Sequence, residues 1–245
     1  MYSEELRKIV DESKSIVFFG GAGVSTESGI PDFRSTDGLY AQKWRYPPEE
    51  IISHGFFLHD TKEFYRFYRE KMLFPDAKPN RAHLALAALE RAGKLTAVVT
   101  QNIDGLHQAA GSKRVYELHG SVHRNYCMSC GAAYPLDFIL SSEGVPRCPK
   151  CGGLIKPDVV LYGESLDEST IDGAVRAIEK ADTLIVGGTS LAVYPAAGLL
   201  SYFRGRKIVV INKSPTHFDR SANLLLAAPI GEVLGDTFAD ILETP

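Results

Sequence analysis

The sequence predicts a parallel α/β fold interrupted by a metal-bound insert, and three features carry that prediction. Short apolar runs at residues 16–19, 95–99, 183–186 and 207–211, the first of them uninterrupted, alternate with stretches of helical period, the order of βαβ units whose sheet is buried on both faces. The first run ends in Gly20-Gly21-Ala22-Gly23, a turn whose main-chain N–H groups can approach a phosphate ahead of a helix. Four cysteines, Cys127-x2-Cys130 and Cys148-x2-Cys151 with 17 residues between the pairs, have the spacing of a tetrahedral zinc site. Two disulfides are the competing reading, disfavoured in a chain without an export signal. Four thiolates leave no open coordination position, so the metal is expected to be structural and the chemistry to come from elsewhere.

Residues 3–14 suit a helix capped by Ser3, with Leu6, Ile9 and Val10 on one face. The glycine turn matches the dinucleotide fingerprint only in part: Thr26 holds the third glycine position, and no acidic residue closes a second strand about 20 residues on. Residues 35–48 have no period and carry the single tryptophan, Trp44, which predicts a mobile flap over the neighbouring turn. Residues 47–73 turn helical, with Asp60 and Glu63 as a capping pair ahead of Phe64, Tyr65, Phe67 and Tyr68. A further helix runs between Asn80, its cap, and Gly93. Past the strand at 95–99 come Thr100-Gln101-Asn102-Ile103-Asp104, polar side chains at the carboxyl edge where open α/β sheets bind ligands. A third strand at 115–118 brings His119-Gly120 to that edge, and the cysteine-bearing insert, 121–155, follows. The remainder reads as helix 167–180, strand 183–186 ending in Gly187-Gly188-Thr189-Ser190, a helix from Pro195, strand 207–211 ending in Asn212, strand 224–226 and a last helix from Gly231.

A length of 245 residues with 44% hydrophobic content supports one core with a smaller attached module. The formal net charge of -3 gives no basic field for a nucleic-acid backbone, and between the cysteine pairs one base, Arg147, faces two acids, Asp137 and Glu143. No apolar run approaches the ~20 residues that span a bilayer, and the N-terminal residues lack a signal-peptide profile, so the cytosol is the expected compartment.

Taken in order, Gly21-Ala22-Gly23-Val24-Ser25, Gly29-Ile30-Pro31-Asp32-Phe33-Arg34, Thr100-Gln101-Asn102-Ile103-Asp104, His119-Gly120, the two cysteine pairs, Gly163-Glu164 and Gly188-Thr189-Ser190 resemble the sirtuins, NAD-dependent protein-lysine deacylases. The resemblance covers nearly the whole chain, and a length close to the bare catalytic core is similar to bacterial or archaeal members. It implies a Rossmann-like NAD-binding domain of residues 1–34, 79–120 and 156–245, and a small domain, 35–78 and 121–155, made of a helical insertion and a zinc ribbon. NAD as co-substrate and one structural zinc on Cys127, Cys130, Cys148 and Cys151 follow from the same resemblance. By motif, Ala22, Thr26 and Arg34 would face the pyrophosphate, Thr189, Ser190, Asn212 and Lys213 the adenosine, and Gln101 the nicotinamide ribose. Ile30, Phe33, Asn102, Ile103 and Asp104 would form the pocket for the departing nicotinamide, with Gly21, Asp32, Gly188 and Ile230 as further cofactor contacts. Val160 and Tyr162 would line the acyl-lysine tunnel, and Gly163, Glu164, Val193 and Tyr194 the two edges between which a peptide adds as a strand.

The reaction this implies is removal of acetyl from lysine, with nicotinamide and O-acetyl-ADP-ribose as products. His119, catalytic together with Asn102, is the expected base. An imidazole of ordinary pKa near 6.5 is neutral at pH 7 and can draw a proton through the ribose hydroxyls, so that the 2′-oxygen attacks the alkylamidate. Capping of the next helix is a second expectation for Asn102 and Asp104, and His83 and His107 are expected to be structural. Desuccinylating sirtuins carry Tyr-x-x-Arg in the small-domain helix. Here Tyr68 occupies the arginine position and Arg69 comes one residue late, about 100° around a helix. That favours acetyl over succinyl and leaves longer acyl chains open. Protein ADP-ribosyl transfer is the alternative activity, and a nucleotide-sensing zinc-ribbon module the remote one. Acetylated proteins or peptides are the expected partners, with no nucleic acid and no membrane; the oligomeric state is open, a monomer included.

Overall fold

The structure is a computed structural model that describes residues 2–36 and 38–242, with the backbone alone for residues 2 and 3. Its strands, in chain order, are β1 (Ile16–Gly20), β2 (Leu95–Thr100), β3 (Val115–Glu117), β4 (Gly120–Cys127), β5 (Ala133–Tyr134), β6 (Ile155–Val159), β7 (Thr183–Gly187), β8 (Lys207–Ile211) and β9 (Leu224–Leu226). The helices are α1 (Tyr2–Glu12), α2 (Pro48–Ile51), α3 (His54–His59), α4 (Thr61–Phe67), α5 (Arg81–Arg91), α6 (Leu106–Ala109), α7 (Leu136–Ser141), α8 (Glu168–Lys180), α9 (Ile230–Thr237) and α10 (Ala239–Leu242).

Six strands form one sheet in the order β3-β2-β1-β7-β8-β9, and every neighbouring pair is parallel. The order reverses between β1 and β7. Chains leaving those two strands turn in opposite directions, which opens a crevice at their carboxyl ends. Both strands are buried at every position, as their largely apolar runs require. Ile16 and Phe18 pack in a core with residues of α1, α5 and α9, whereas Val17 and Phe19 pack with residues of α8 on the other face. Burying each Phe ring contributes ~1.5–3 kcal/mol. That more than offsets the ~1 kcal/mol that each flanking glycine costs in chain entropy.

A second, antiparallel sheet in the order β5-β4-β6 carries the cysteines. It shares a core with α2, α3 and α4, in which Phe57, Phe64, Tyr65, Phe67 and Tyr68 surround Ile139, Ile155, Cys127 and Cys148. The aromatic stripe is therefore core, held by edge-to-face pairs such as Phe57 with Phe64 at 4.9 Å and Phe64 with Tyr65 at 5.4 Å. Asp60 caps α4 by accepting from the Glu63 N–H at 3.0 Å, and Asn80 caps α5 by accepting from the Ala82 N–H at 2.9 Å. Asp167 caps α8 in the same way, through the Thr170 N–H at 2.7 Å.

Three elements differ from the sequence expectation. The glycine turn leads into two short 3-10 turns, Ala22–Val24 and Thr26–Ser28, and no α-helix, because Gly29 at φ 83° ends the run in the left-handed region. The stretch from Pro195 is also 3-10, Ala196–Tyr202. Residues 47–73 form three helices, since Ser53 accepts from the Phe56 N–H at 3.2 Å and starts a new one; α4 then runs on as a π-turn, Tyr68–Met72. Helix α1 begins at Tyr2, ahead of Ser3, and the capping side chain expected at Ser3 lies outside the described residues. Among the described residues no helix is long and apolar enough to cross a membrane.

Candidate functional site

The carboxyl edge of the parallel sheet faces the second core across a cleft of about 1120 Å³. Every residue for which the sequence predicts a cofactor or peptide contact lines this one cleft, from Gly21 after β1 to Ile230 at the start of α9. Its volume exceeds the ~300–1,000 Å³ of an ordinary small-molecule pocket, which suits two ligands meeting inside it.

The floor is made by close approach of two turns. The Gly23 N–H donates to the Gly188 carbonyl at 2.8 Å, and a Cβ on Gly188, which sits at φ 58°, would fall 2.4 Å from the Val24 nitrogen. Glycine is needed there for backbone contact. Thr26 replaces the third glycine of the fingerprint and ties the turn down by donating from Oγ1 to the Gly23 carbonyl at 3.1 Å. Gln101 Nε2 donates to Thr189 Oγ1 at 3.0 Å, and the Thr189 N–H donates to Asn212 Oδ1 at 3.0 Å, so the ends of β2, β7 and β8 are linked. Asn212 is buried, and its Nδ2 has no partner among the described residues. An unpaired donor of this kind costs ~1–3 kcal/mol, and a nucleotide acceptor would relieve it.

His119 lies between β3 and β4 with its Nδ1 at 3.0 Å from the Gln101 carbonyl. A carbonyl only accepts, so Nδ1 carries the proton and Nε2 keeps a lone pair. Burial lowers the imidazole pKa below its usual 6.5, with the Gln101 bond partly opposing. The ring is neutral at pH 7, and its basic nitrogen has no hydrogen-bond partner among the described residues.

Beside it, Asn102 Nδ2 donates to Ser25 Oγ at 3.0 Å, and Ser25 Oγ donates to Asp104 Oδ2 at 2.6 Å. His83 approaches the same hydroxyl with Nε2 at 3.5 Å. The Asn80 N–H donates to His83 Nδ1 at 3.2 Å, which puts the imidazole proton on Nε2, aimed at Ser25. The hydroxyl thus receives from two sides and can give only to Asp104. Gly105 is the N-cap of α6, and Asp104, one residue ahead of it, accepts from the Leu106 N–H at 2.9 Å; Asn102 makes no bond to that helix. Sequence reasoning missed Ser25 as more than a turn residue and took His83 as purely structural. One signal was available: His83 stands where a capping box carries Glu or Gln. His107 is structural as expected, fully buried against His83 with ring centroids 4.8 Å apart.

On the far wall, the Val160 N–H bonds the His119 carbonyl at 3.0 Å. Tyr162 joins the helical unit through its backbone, to the Ile52 carbonyl at 3.0 Å and from the His54 N–H at 2.9 Å. The Glu164 carboxylate is committed within the chain: Leu161 N–H and Lys156 Nζ reach Oε2 at 2.8 and 3.0 Å, and His54 Nδ1 reaches Oε1 at 2.7 Å. Burial alone would raise its pKa; those three bonds reverse the shift and lower it.

The four cysteine sulfurs lie within 4.8 Å of one another, with Cys127–Cys151 at 3.5 Å and Cys130–Cys148 at 3.7 Å. A tetrahedron with ~2.3 Å metal–sulfur bonds has its sulfurs ~3.8 Å apart, whereas a disulfide needs ~2.0 Å. The cysteines are positioned to bind a metal ion, and a hydrogen bond of 3.0 Å between the Tyr134 hydroxyl and Cys148 supports that set. Because Cys127 and Cys148 are part of the aromatic core, stripping the metal with a chelator is expected to lower the melting temperature and expose residues 121–155 to protease. A Cys127→Ala protein that melts like the wild type and still holds one zinc per chain would contradict this.

A model of the Sir2 family matches residues 21–195. An NAD-dependent protein deacetylase of Clostridium acetobutylicum is 64% identical over 94% of this chain and 95% of its own, and one of Clostridium perfringens 61% over 94% and 96%. A solved Sir2 with a p53 peptide and NAD+ superposes with a TM-score of 0.87 at 42% identity, covering 98% of both chains. A Sir2 variant with deacetylated p53 peptide and 3′-O-acetyl ADP-ribose gives 0.90 at 41%, again over 98% of both.

Proposed function

The chain belongs to the Sir2 family, and from that premise we propose that its cleft removes acetyl groups from protein lysines with NAD as co-substrate. The enzyme is an NAD-dependent protein deacetylase. The observation that carries this reading is the tautomer of His119, a neutral imidazole with Nε2 unprotonated in a cleft whose floor is a glycine turn. When bound, NAD supplies a ribose whose bond to nicotinamide can break and be replaced by one to the acetyl oxygen. The protein places groups around that exchange. Gly21, Ala22, Thr26 and Arg34 hold the pyrophosphate, and Gly188, Thr189, Ser190, Asn212, Lys213 and Ile230 the adenosine side. Gln101 takes the nicotinamide ribose, while Ile30, Asp32, Phe33, Ile103 and Asp104 form the nicotinamide pocket. Ser25 and His83 keep Asn102 and Asp104 in register. His119 Nε2 accepts the proton of a ribose hydroxyl. Val160 offers an apolar wall that accepts an acylated lysine and disfavours the free ammonium, which helps product leave. Tyr162, Gly163, Glu164, Val193 and Tyr194 frame the peptide.

The acyl preference follows from Arg69 and Tyr65. Arg69 Nε donates to the Ile139 carbonyl at 3.1 Å, Nη1 to the Gly144 carbonyl at 2.7 Å and Nη2 to Ser142 Oγ at 3.1 Å, with the guanidinium 5.2 Å over Tyr65. Tyr65 gives its own hydroxyl to the Ile155 carbonyl at 2.5 Å. Neither is available to a distal carboxylate. With matched peptides, acetyl-lysine is expected to exceed succinyl-lysine in kcat/KM by about 100-fold, the equivalent of one charged group left unpaired. Mass spectrometry of the same reactions is expected to show nicotinamide and O-acetyl-ADP-ribose only when NAD and acetyl peptide are both present. Equal rates on the two peptides would overturn the acetyl preference. ADP-ribose on protein without acetyl peptide would replace the deacetylase with a transferase.

A further inference from the structure

One hydrogen bond on the rim of the cleft joins a residue of the peptide frame to a residue with no role in the reaction just described. Tyr40, in the irregular segment after Arg34, and Tyr162, in the turn after β6, bring their hydroxyls within 2.7 Å of each other. They are 122 residues apart in sequence. Each belongs to a different wall. Tyr40 packs edge-on against Phe33 at 5.6 Å and beneath the Arg34 guanidinium at 5.4 Å, and its N–H donates to the Phe33 carbonyl at 2.9 Å. Moving Phe33 or Arg34 therefore moves Tyr40. Tyr162 follows Val160 by two residues and is held by backbone bonds to Ile52 and His54, so whatever displaces Val160 and its turn moves Tyr162.

Resting on the deacetylase reading, we infer that the Tyr40–Tyr162 hydrogen bond couples the two substrate sites, so that NAD ordering Phe33 and Arg34 prepares the acyl-lysine wall and acyl-lysine prepares the NAD wall. Tyr40 is a positioning residue, Tyr162 adds this link to its place in the peptide frame, and neither is among the groups that touch the reacting atoms. The physical basis is shared ordering. Tyr162 is 41% exposed and the segment around Tyr40 holds only one 3-10 turn, Leu39–Ala41, so each end of the bond loses freedom when its own site fills. A ligand that orders one end leaves less ordering for the second ligand to supply, and the favourable factor is the same in both directions.

The test is calorimetric titration of ADP-ribose, with and without saturating acetyl-lysine peptide, into wild type, Tyr40→Phe, Tyr162→Phe and the double variant. ADP-ribose keeps the pyrophosphate and has no nicotinamide to lose, so nothing turns over. Phenylalanine keeps the ring contacts and removes only the hydroxyls. In the wild type the peptide is expected to tighten ADP-ribose binding. Each single variant should reduce that tightening by about 2- to 10-fold, the worth of one neutral hydrogen bond, and the double variant by no more than either single. For Tyr40→Phe, affinity for each ligand alone, kcat at saturation and melting temperature should stay near wild type, and Tyr202→Phe, an exposed tyrosine outside the cleft, should leave the coupling unchanged. A wild type without coupling, singles that couple as the wild type does, or single effects that add in the double would each overturn the inference. A wild type that fails to bind ADP-ribose and to deacetylate would sink the deacetylase reading itself, and the coupling with it.

Discussion

Replacing His119 by alanine is expected to lower kcat for deacetylation by about 10²- to 10⁴-fold while ADP-ribose affinity stays within a few-fold of wild type. The size follows from the role. The imidazole is the base placed with a free lone pair in the cleft, and its Nδ1 proton is spent on the Gln101 carbonyl, so the ring can accept at Nε2 without changing tautomer. Its pKa lies below 6.5 because burial penalises the imidazolium. Only the neutral ring can accept a proton, so kcat/KM should be level through neutral pH and decline on acidification, with a midpoint below 6.5. An Ala variant within threefold of wild-type kcat would remove His119 from the mechanism, and an acid limb centred above 6.5 would contradict the burial argument.

How much of this was legible in the chain depends on whether the signal is local. Gly20-Gly21, Gln101, His119, Gly188-Thr189 and Asn212 each stand just past an apolar run, and a parallel sheet puts all such positions on one edge. Reading the runs as strands was enough to bring those residues together. The cysteine pairs were equally local, because their spacing alone specifies a knuckle. The reversal of strand order between β1 and β7 has no local signature, since nothing in an apolar run says which neighbour it will take. The links that tune the site are long-range for the same reason: Ser25 reaches His83 and Asp104 across 58 and 79 residues. Glu164 was expected at a peptide edge through its main chain, and the partners of its carboxylate, Leu161, Lys156 and His54, had no signal in the motif. Arg69 was read correctly from a one-residue offset, although α4 gives way to a π-turn at Tyr68. The offset sufficed because it turns the guanidinium to the carbonyls of Ile139, in α7, and Gly144, just after it.

Acidification should then destabilise the fold more steeply than surface carboxylates alone would explain. His83 is fully buried and held down to about 4, chiefly by desolvation, with Asp104 pulling the other way. His107 is 1% exposed, has no partner at either ring nitrogen among the described residues, and lies well below its usual value through burial and the neighbouring His83. In both, the folded pKa is below the unfolded value of ~6.5. As pH falls through 6.5 the unfolded chain takes up protons that the native state refuses, so stability is full above that pH and is lost on the way down to the folded pKa. For His83 the window runs from ~6.5 to about 4, and the loss is about 3 kcal/mol. His107 adds to it in the same direction, and the two rings, 4.8 Å apart, resist being charged together. Urea unfolding at a series of pH values from 7 to 4.5 measures the slope, and each buried histidine contributes up to ~1.4 kcal/mol per pH unit. Substituting His107→Leu removes one titrating ring and an unpaired donor while keeping an apolar side chain beside Phe18. The variant should hold or gain stability at pH 7 relative to an ordinary core substitution, and its acid slope should be shallower than that of the wild type. Identical slopes would mean that His107 takes up its proton inside the fold, against the penalty that its burial imposes on the charged ring.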